Sequence, residues 1–238
     1  YWIRDVRKQP VDHLPKEIPA SFSRKFGEWA IENGVRGKFS LIPMPAGLGR
    51  IDQIIPGWTK KELEEWVKVA KEVIWQNFDL TPEMITHLYA VNLKDWTMLD
   101  ELEQYTWTEG KSEEELTEYI AAALQILRNI GIAAEGVTSP GGFGGRVIEE
   151  YARATLAAEK AVNGISTPFY FKEVELRDAL PPRVKYVNKE KGEAVVSIIA
   201  CTGDWFGGWT GYDLGDADSL ITADLHGGRM PQVIEAGV

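Results

Sequence analysis

The sequence predicts an α/β protein in which strands and helices alternate along one domain, residues 1–238. Two observations support this class. Apolar runs of strand length alternate with amphipathic segments of helical length, and several strand candidates are apolar throughout, as strands covered on both faces are. Strands joined through helices pair in parallel by right-handed crossovers. About seven such units without a linker favour a closed barrel, with a doubly wound open sheet as the alternative.

Each strand candidate is a short apolar run bounded by turn residues. In chain order they are YWIRDV (1–6), KFSLIP (38–43), MITHLYA (84–90), IAAEGV (132–137), TPFYFKEV (167–174), the second arm of a hairpin over 183–202 that turns at 189–192, and SLITADL (219–225).

Helices are predicted where an apolar stripe follows a capping residue. Ser21 is the predicted cap of the first helix. Two capping-box pairs, Thr59 with Glu62 and Ser112 with Glu115, begin the next two. The predicted helices span residues 21–34, 59–77, 112–130 and about 145–163, and a last one begins near residue 230.

Composition excludes some function classes. The net charge of −10 argues against nucleic-acid binding, which needs a basic face. No apolar run reaches the length of a membrane span, so none is expected. The one cysteine, Cys201, excludes an internal disulfide and leaves both a cytoplasmic and a secreted location open, the cytoplasmic one slightly favoured. The nine tryptophans fill a core or stack on sugar rings.

Candidate chemistry lies where the predicted strands end, because a parallel barrel places its active site at the carboxyl ends of its strands. Asp and His side chains there are suitable ligands for Zn²⁺, although one of each is not a motif by itself. The polar residues at these ends are Arg4, Asp5, His87, Asn92, Asp95, Asp224 and His226.

The glycine-rich segment SPGGFGG (139–145) follows a predicted strand and precedes a predicted helix. Its glycines do not fit the G-x-G-x-x-G spacing, and the lysine of a P-loop is missing, so nucleotide binding is disfavoured. The segment is instead expected to form a tight turn where the backbone passes close to a ligand or a neighbouring element.

The order of these motifs resembles the polysaccharide deacetylases of the NodB-homology type. The similar segments are WIRDV (2–6), ITHLYAVN (85–92), GVTSPGGFGG (136–145), TGDWFGGW (202–209) and LHGGRMPQVIEAG (225–237). The resemblance implies a distorted (β/α)7 barrel that acts on carbohydrate.

The resemblance also implies site residues. A divalent metal, expected to be zinc, would be held by Asp5, His87 and Asn92. The implied catalytic residues are Asp5, Asp204 and His226, and the implied substrate-binding residues are Trp96, Pro140, Phe143, Trp205 and Trp209.

The sequence departs from the family at three positions, one of which is Thr138, where a loop arginine is expected. Arg4 stands where the first residue of an aspartate pair is expected, and Val91 stands where a second metal-binding histidine is expected. Asn92 or Asp95 would substitute for that histidine.

Three functions remain open from the sequence. The first is a metal-dependent deacetylase of N- or O-acylated carbohydrate. The alternative is a catalytically silent barrel that binds glycans through Trp96, Trp205 and Trp209. A hydrolase that uses Glu135 and Asp204 as paired carboxylates is the third. The oligomeric state is not predicted, and the apolar end VIEAGV (233–238) leads us to expect that the natural chain continues.

Overall fold

The structure, a computed structural model, describes residues 19–174 and 181–201 of the chain. Its helices and strands, in chain order, are α1 (Ala20–Glu32), β1 (Gly37–Leu41), α2 (Lys60–Glu72), β2 (Phe78–Pro82), β3 (Tyr89–Asn92), β4 (Thr97–Glu103), α3 (Gln104–Trp107), α4 (Glu113–Asn129), β5 (Gly136–Thr138), α5 (Ile148–Val162), β6 (Phe169–Val174), β7 (Arg183–Asn188) and β8 (Glu193–Cys201).

The predicted distorted (β/α)7 barrel is wrong. Within the described residues the strands form three small sheets: a parallel pair β1–β2, a hairpin β3–β4, and a four-stranded sheet in the order β5-β6-β8-β7. In the largest sheet β5, β6 and β8 are parallel, while β7 runs antiparallel to β8. The protein is therefore a mixed α/β structure, with five α-helices in the part that is described.

Three local features explain why these strands do not form a closed barrel. A barrel needs a continuous backbone ladder around its circumference. Between β2 and β5 the contact is made by side chains, since the hydroxyls of Thr81 and Thr138 lie 2.7 Å apart. The β3–β4 hairpin overlaps only the end of the strand predicted over 84–90 and continues where no strand was predicted, and β7 reverses the strand direction.

The helix starts follow local capping chemistry. At α2 the Thr59 hydroxyl accepts from the backbone N–H of Glu62 at 3.2 Å, and the Glu62 carboxylate accepts from the Thr59 N–H at 2.7 Å. The start of α4 carries the same reciprocal pair. The cap predicted at Ser21 is wrong, because α1 begins after Pro19 without a side-chain cap. None of the described helices is long and apolar enough to cross a membrane.

Two strand predictions had opposite outcomes. The hairpin turn at 189–192 is confirmed, with the Gly192 N–H donating to the Lys189 carbonyl at 3.3 Å. The single strand predicted over 84–90 is wrong: β2 ends earlier, β3 begins later, and His87 lies in the connecting turn with φ of 75°.

The parallel strands turn one face toward the helices. Phe26 of α1 packs against Phe39 of β1 and Phe78 of β2, with ring centroids 6.5 Å and 5.5 Å apart. Further along, Tyr151 of α5 packs on Tyr170 of β6 at 4.8 Å. Burial of these aromatic rings provides much of the apolar contact that holds the helices to the sheets.

The opposite face carries polar side chains, because neighbouring residues of a strand point to opposite sides. Ser40 is the register partner of Thr81, and Thr138 is the register partner of Phe171. Lys38 lies two residues before Ser40 on the same side of β1. This face, near the carboxyl ends of the strands, is where the candidate site lies.

Candidate functional site

A histidine–glutamate pair lies in the turn that follows β2. The Nδ1 atom of His87 is 3.0 Å from Oε1 of Glu83. Glu83 directly follows the strand, and its backbone N–H donates to the carbonyl of Leu41 at 2.8 Å, which fixes the turn to the end of β1. The carboxylate is mostly buried, with 18 % of its side chain exposed, while the imidazole is half exposed. The turn therefore holds one edge of the imidazole and leaves the ring accessible.

The pair perturbs both pKa values. The hydrogen bond to Glu83 raises the pKa of His87 above its ordinary 6.5, and the negative charge of Glu83 adds to that effect, while burial and Lys38 oppose it. Burial acts to raise the pKa of Glu83, but the hydrogen bond and charge of His87, with Lys38 and Ser40, outweigh it and lower that pKa. The pair is thus stabilised as an imidazolium–carboxylate ion pair.

A chain of hydroxyl groups extends from this pair across the strand ends. Lys38 donates from Nζ to the Ser40 hydroxyl at 2.9 Å, and both residues help to lower the pKa of Glu83. The Ser40 and Thr138 hydroxyls lie 3.4 Å apart, and Thr138 is bonded to Thr81. We call these six residues the strand-end cluster: Lys38, Ser40, Thr81, Glu83, His87 and Thr138.

An aromatic side chain stands beside the cluster. The Nζ atom of Lys38 is 5.7 Å from the centre of the Phe171 ring, a cation–π distance. The cluster therefore combines an acid–base pair, a cation, hydroxyl groups and an apolar surface at one end of the parallel strands. Such a combination is suited to moving a proton at a bound polar ligand.

The predicted metal ligands that the structure describes, His87 and Asn92, have different hydrogen-bond partners. Asn92 ends β3, and its side-chain oxygen accepts from the backbone N–H of Lys94 at 3.1 Å, so it serves the hairpin turn. Asp95 likewise accepts from the N–H and hydroxyl of Thr97, at 3.1 Å and 2.7 Å. Asp5 lies outside the described residues.

Whether the described residues could bind zinc depends on the metal-binding side chains that they bring together. No group of three or more His, Cys, Asp or Glu side chains able to hold a metal ion occurs within residues 19–174 and 181–201. Zinc sites need at least three protein ligands. The strand-end cluster has one histidine, His87, and Nδ1 of this histidine already contacts Glu83. The described residues by themselves do not fit a zinc ion, and the metal site stays a prediction.

The predicted substrate-binding residues fall in different environments. Phe143 is fully buried, packed between Tyr119 and Tyr151 with centroids 6.0 Å and 5.5 Å away. Pro140 is also buried. Trp96 lies in the β3–β4 turn, with the Arg50 guanidinium 4.3 Å from its ring centre. Trp96 also borders an open cleft.

The remaining predictions concern other places in the chain. Glu135 immediately precedes β5, so it lies at the opposite end of the sheet from the strand-end cluster. The other predicted catalytic and substrate-binding residues lie outside the described residues: Asp204, Trp205, Trp209 and His226. Their roles stay predictions.

Sequence reasoning missed Glu83, Lys38 and Ser40. The segment GKFSL alternates polar and apolar residues, a pattern that indicates a strand with one polar face. Glu83 and His87 are four residues apart just after a strand, a spacing that a tight turn can close. Both signals are present in the sequence, but the resemblance implied a metal ligand at His87 and drew no attention to Glu83.

No family model, no curated protein and no solved structure matches this chain.

Proposed function

We propose that this protein is a hydrolase that removes acyl groups from carbohydrates, with His87 as the acid–base group. The observation that carries the proposal is the contact of His87 with Glu83 at the end of β2. A carboxylate bonded to one imidazole nitrogen orients the ring and increases the basicity of the other nitrogen. The resemblance to polysaccharide deacetylases supplies the substrate class.

The proposed step is hydrolysis of an ester or amide. His87 takes a proton from water while the water oxygen forms a bond to the acyl carbon. The tetrahedral intermediate then loses the sugar oxygen or nitrogen, which receives the proton from the imidazolium. Lys38, whose positive charge acts on both His87 and Glu83, supplies a cation for the developing oxyanion.

Glu83 is a positioning residue in this proposal, because it acts through His87. Its hydrogen bond raises the pKa of His87, so the base form is lost as the pH falls through that raised value. Activity should therefore decline on the acidic side of a pKa above 6.5. In Glu83→Gln the negative charge is removed, and the acidic limb should move to lower pH.

The resemblance leads us to expect zinc, and whether the protein contains and requires it is to be measured. A bound zinc ion would polarise the acyl carbonyl. Metal analysis of the purified protein tests whether residues beyond the described ones complete a donor set with His87.

The experiment measures acetate released from acetylated xylan, acetylated chitooligosaccharides and small acetylated monosaccharides across pH 5–9. In His87→Ala we expect a loss of turnover on the order of 10²-fold or more, as for a general base. The matched control is Glu64→Gln, which removes one partner of the exposed Lys60–Glu64 pair on α2. That variant should retain wild-type turnover.

Two results would contradict the proposal. One is full turnover in a folded His87→Ala protein. The other is a wild-type protein that binds glycans but releases no acetate from any substrate in the panel, which would favour the noncatalytic alternative.

A further inference from the structure

A second feature, a cleft of about 570 Å³, lies between the loop that follows β1 and the turn of the β3–β4 hairpin. This volume falls in the usual range for small-ligand sites, roughly 300–1,000 Å³. The cleft is open on one side and is bordered by apolar and polar side chains. Those used below are Met44, Arg50, Gln53, Asp95, Trp96 and Met98.

One wall of the cleft is a rigid aromatic platform. The Arg50 guanidinium lies 4.3 Å from the centre of the Trp96 ring. The same guanidinium is held by Asp52 in a bidentate contact of 2.9 Å and 2.6 Å, and Asn129 donates to Asp52 at 2.7 Å. A planar guanidinium fixed in this way holds the indole in place.

The backbone of both walls is strained. Trp96 has φ of 61° and Ala46 has φ of 51°, a region that residues other than glycine rarely occupy. Hydrogen bonds hold the strained turn, since the Trp96 N–H donates to the Asn92 carbonyl at 2.8 Å and Asp95 accepts from Thr97. Strain that surrounding contacts maintain is concentrated at ligand-binding sites.

The charges in the cleft disfavour an anionic ligand. Arg50 and Asp52 compensate each other as an ion pair. Hydrogen bonds from Thr97 lower the pKa of Asp95, so this carboxylate adds a negative charge at neutral pH. An anionic ligand would be repelled. Asp95 accepts hydrogen bonds and Gln53 both donates and accepts them, as hydroxyl groups require, while Trp96 and Met98 offer apolar contact to a ring face.

We propose that this cleft binds a neutral oligosaccharide, with Trp96 as the stacking platform and Arg50 as the residue that positions it. The inference rests on the proposed carbohydrate function for the link between the two sites. The link itself is short: Met44, which borders the cleft, donates its backbone N–H at 2.8 Å to the carbonyl of Ile85, in the turn between Glu83 and His87. A bound glycan would thus contact a loop that is hydrogen-bonded to the turn of the acid–base pair.

The test is calorimetric titration of the full chain with chitopentaose and cellopentaose as neutral probes, pentagalacturonic acid as an anionic probe, and adenosine as a flat aromatic probe. The variants are Trp96→Gly, which suits the positive φ, and Arg50→Lys, which keeps the charge but loses the planar stack. The control is Trp29→Ala, which removes an exposed tryptophan of α1 that does not border the cleft. Circular dichroism checks that each protein is folded.

We expect at least one neutral probe to bind. Both cleft variants should weaken its binding by about tenfold or more, as loss of a buried anchor does, while Trp29→Ala leaves it unchanged. No binding of either neutral probe, equal binding in a folded Trp96→Gly protein, or a preference for adenosine or the anionic probe would overturn the inference.

A second readout separates this inference from the proposed function. His87→Ala should keep wild-type binding of the neutral probe while turnover is lost. If the wild-type protein releases no acetate but Trp96→Gly abolishes glycan binding, the hydrolase proposal fails and the cleft assignment stands. If acetate is released and the KM for acetylated chitooligosaccharides is the same in Trp96→Gly, the cleft assignment fails alone.

Discussion

A buried carboxyl group on α5 makes the stability of this protein depend on pH. Glu159 is fully buried, and its Oε2 atom accepts from the Asn163 side-chain N–H at 2.9 Å. Its Oε1 atom has no hydrogen-bond partner in the described part of the chain. Burial raises the pKa of Glu159 to about 7, the nearby charge of Glu135 adds to this, and the bond from Asn163 opposes it.

The magnitude follows from the pKa difference. A pKa of about 7 in the folded state against an ordinary 4.5 corresponds to roughly 3 kcal/mol, because one pKa unit is worth about 1.4 kcal/mol. The folded state holds this proton more tightly than the unfolded state does. The stabilisation is therefore complete below pH 4.5 and is lost as the pH rises through about 7. Above that pH an ionised carboxylate is buried close to the negative charge of Glu135.

Glu159→Gln should remove this dependence, because the amide has the same shape and does not titrate. The free energy of unfolding is measured by urea denaturation at pH 5 and pH 8, followed by tryptophan fluorescence. The variant minus wild-type difference should rise by about 2–3 kcal/mol between the two pH values. The control Glu118→Gln changes an exposed carboxyl of α4 and should follow the wild type. The reasoning is refuted if Glu159→Gln and wild type lose stability in parallel.

Two further predictions concern backbone conformation and capping. Gly144 has φ of 71°, and an added Cβ would lie 2.5 Å from the Tyr151 ring, so Gly144→Ala should cost more than the roughly 1–2 kcal/mol of left-handed strain alone. Gly164→Ala, with φ of 73° and nothing within 4 Å, isolates that strain, and equal losses in the two variants would contradict the packing argument. Ser112→Ala removes the hydroxyl that accepts from the Glu115 N–H and should lower the unfolding free energy by about 1 kcal/mol in the same assay, whereas no change would mean that water replaces the cap.

Local chemistry accounts for what could be predicted from the sequence. The capping boxes of α2 and α4 and the turn at 189–192 were predicted correctly because their hydrogen bonds join residues three positions apart. Strand β2 was missed, since FDLTP contains an aspartate and ends at Pro82, both of which are depleted in strands. Closure of the sheet was predicted wrongly because it depends on long-range pairing, which alternation along the chain does not determine.

The turns of the site were harder to predict, for a related reason. The β3–β4 turn carries Trp96 at a position with φ of 61°, where the usual signal would be glycine or asparagine. His87 has φ of 75° in the turn after β2. Because no glycine or asparagine marks this turn, the apolar segment around His87 resembles a strand. A turn that lacks glycine or asparagine at its positive-φ position cannot be predicted from the presence of these residues.

These violations are not distributed at random over the part of the chain that the structure describes. The non-glycine residues with positive φ there are Ala46, Met84, His87 and Trp96. Met84 and His87 lie in the turn of the histidine–glutamate pair, Trp96 lines the cleft, and Ala46 belongs to the loop on the other side of the cleft. At other left-handed positions, such as Gly131 and Gly192, the sequence supplies a glycine and no strain arises. Natural sequences break local rules mainly where function requires a particular geometry. The strain is therefore concentrated in the two places for which we propose functions, the turn that holds His87 and the cleft beside Trp96.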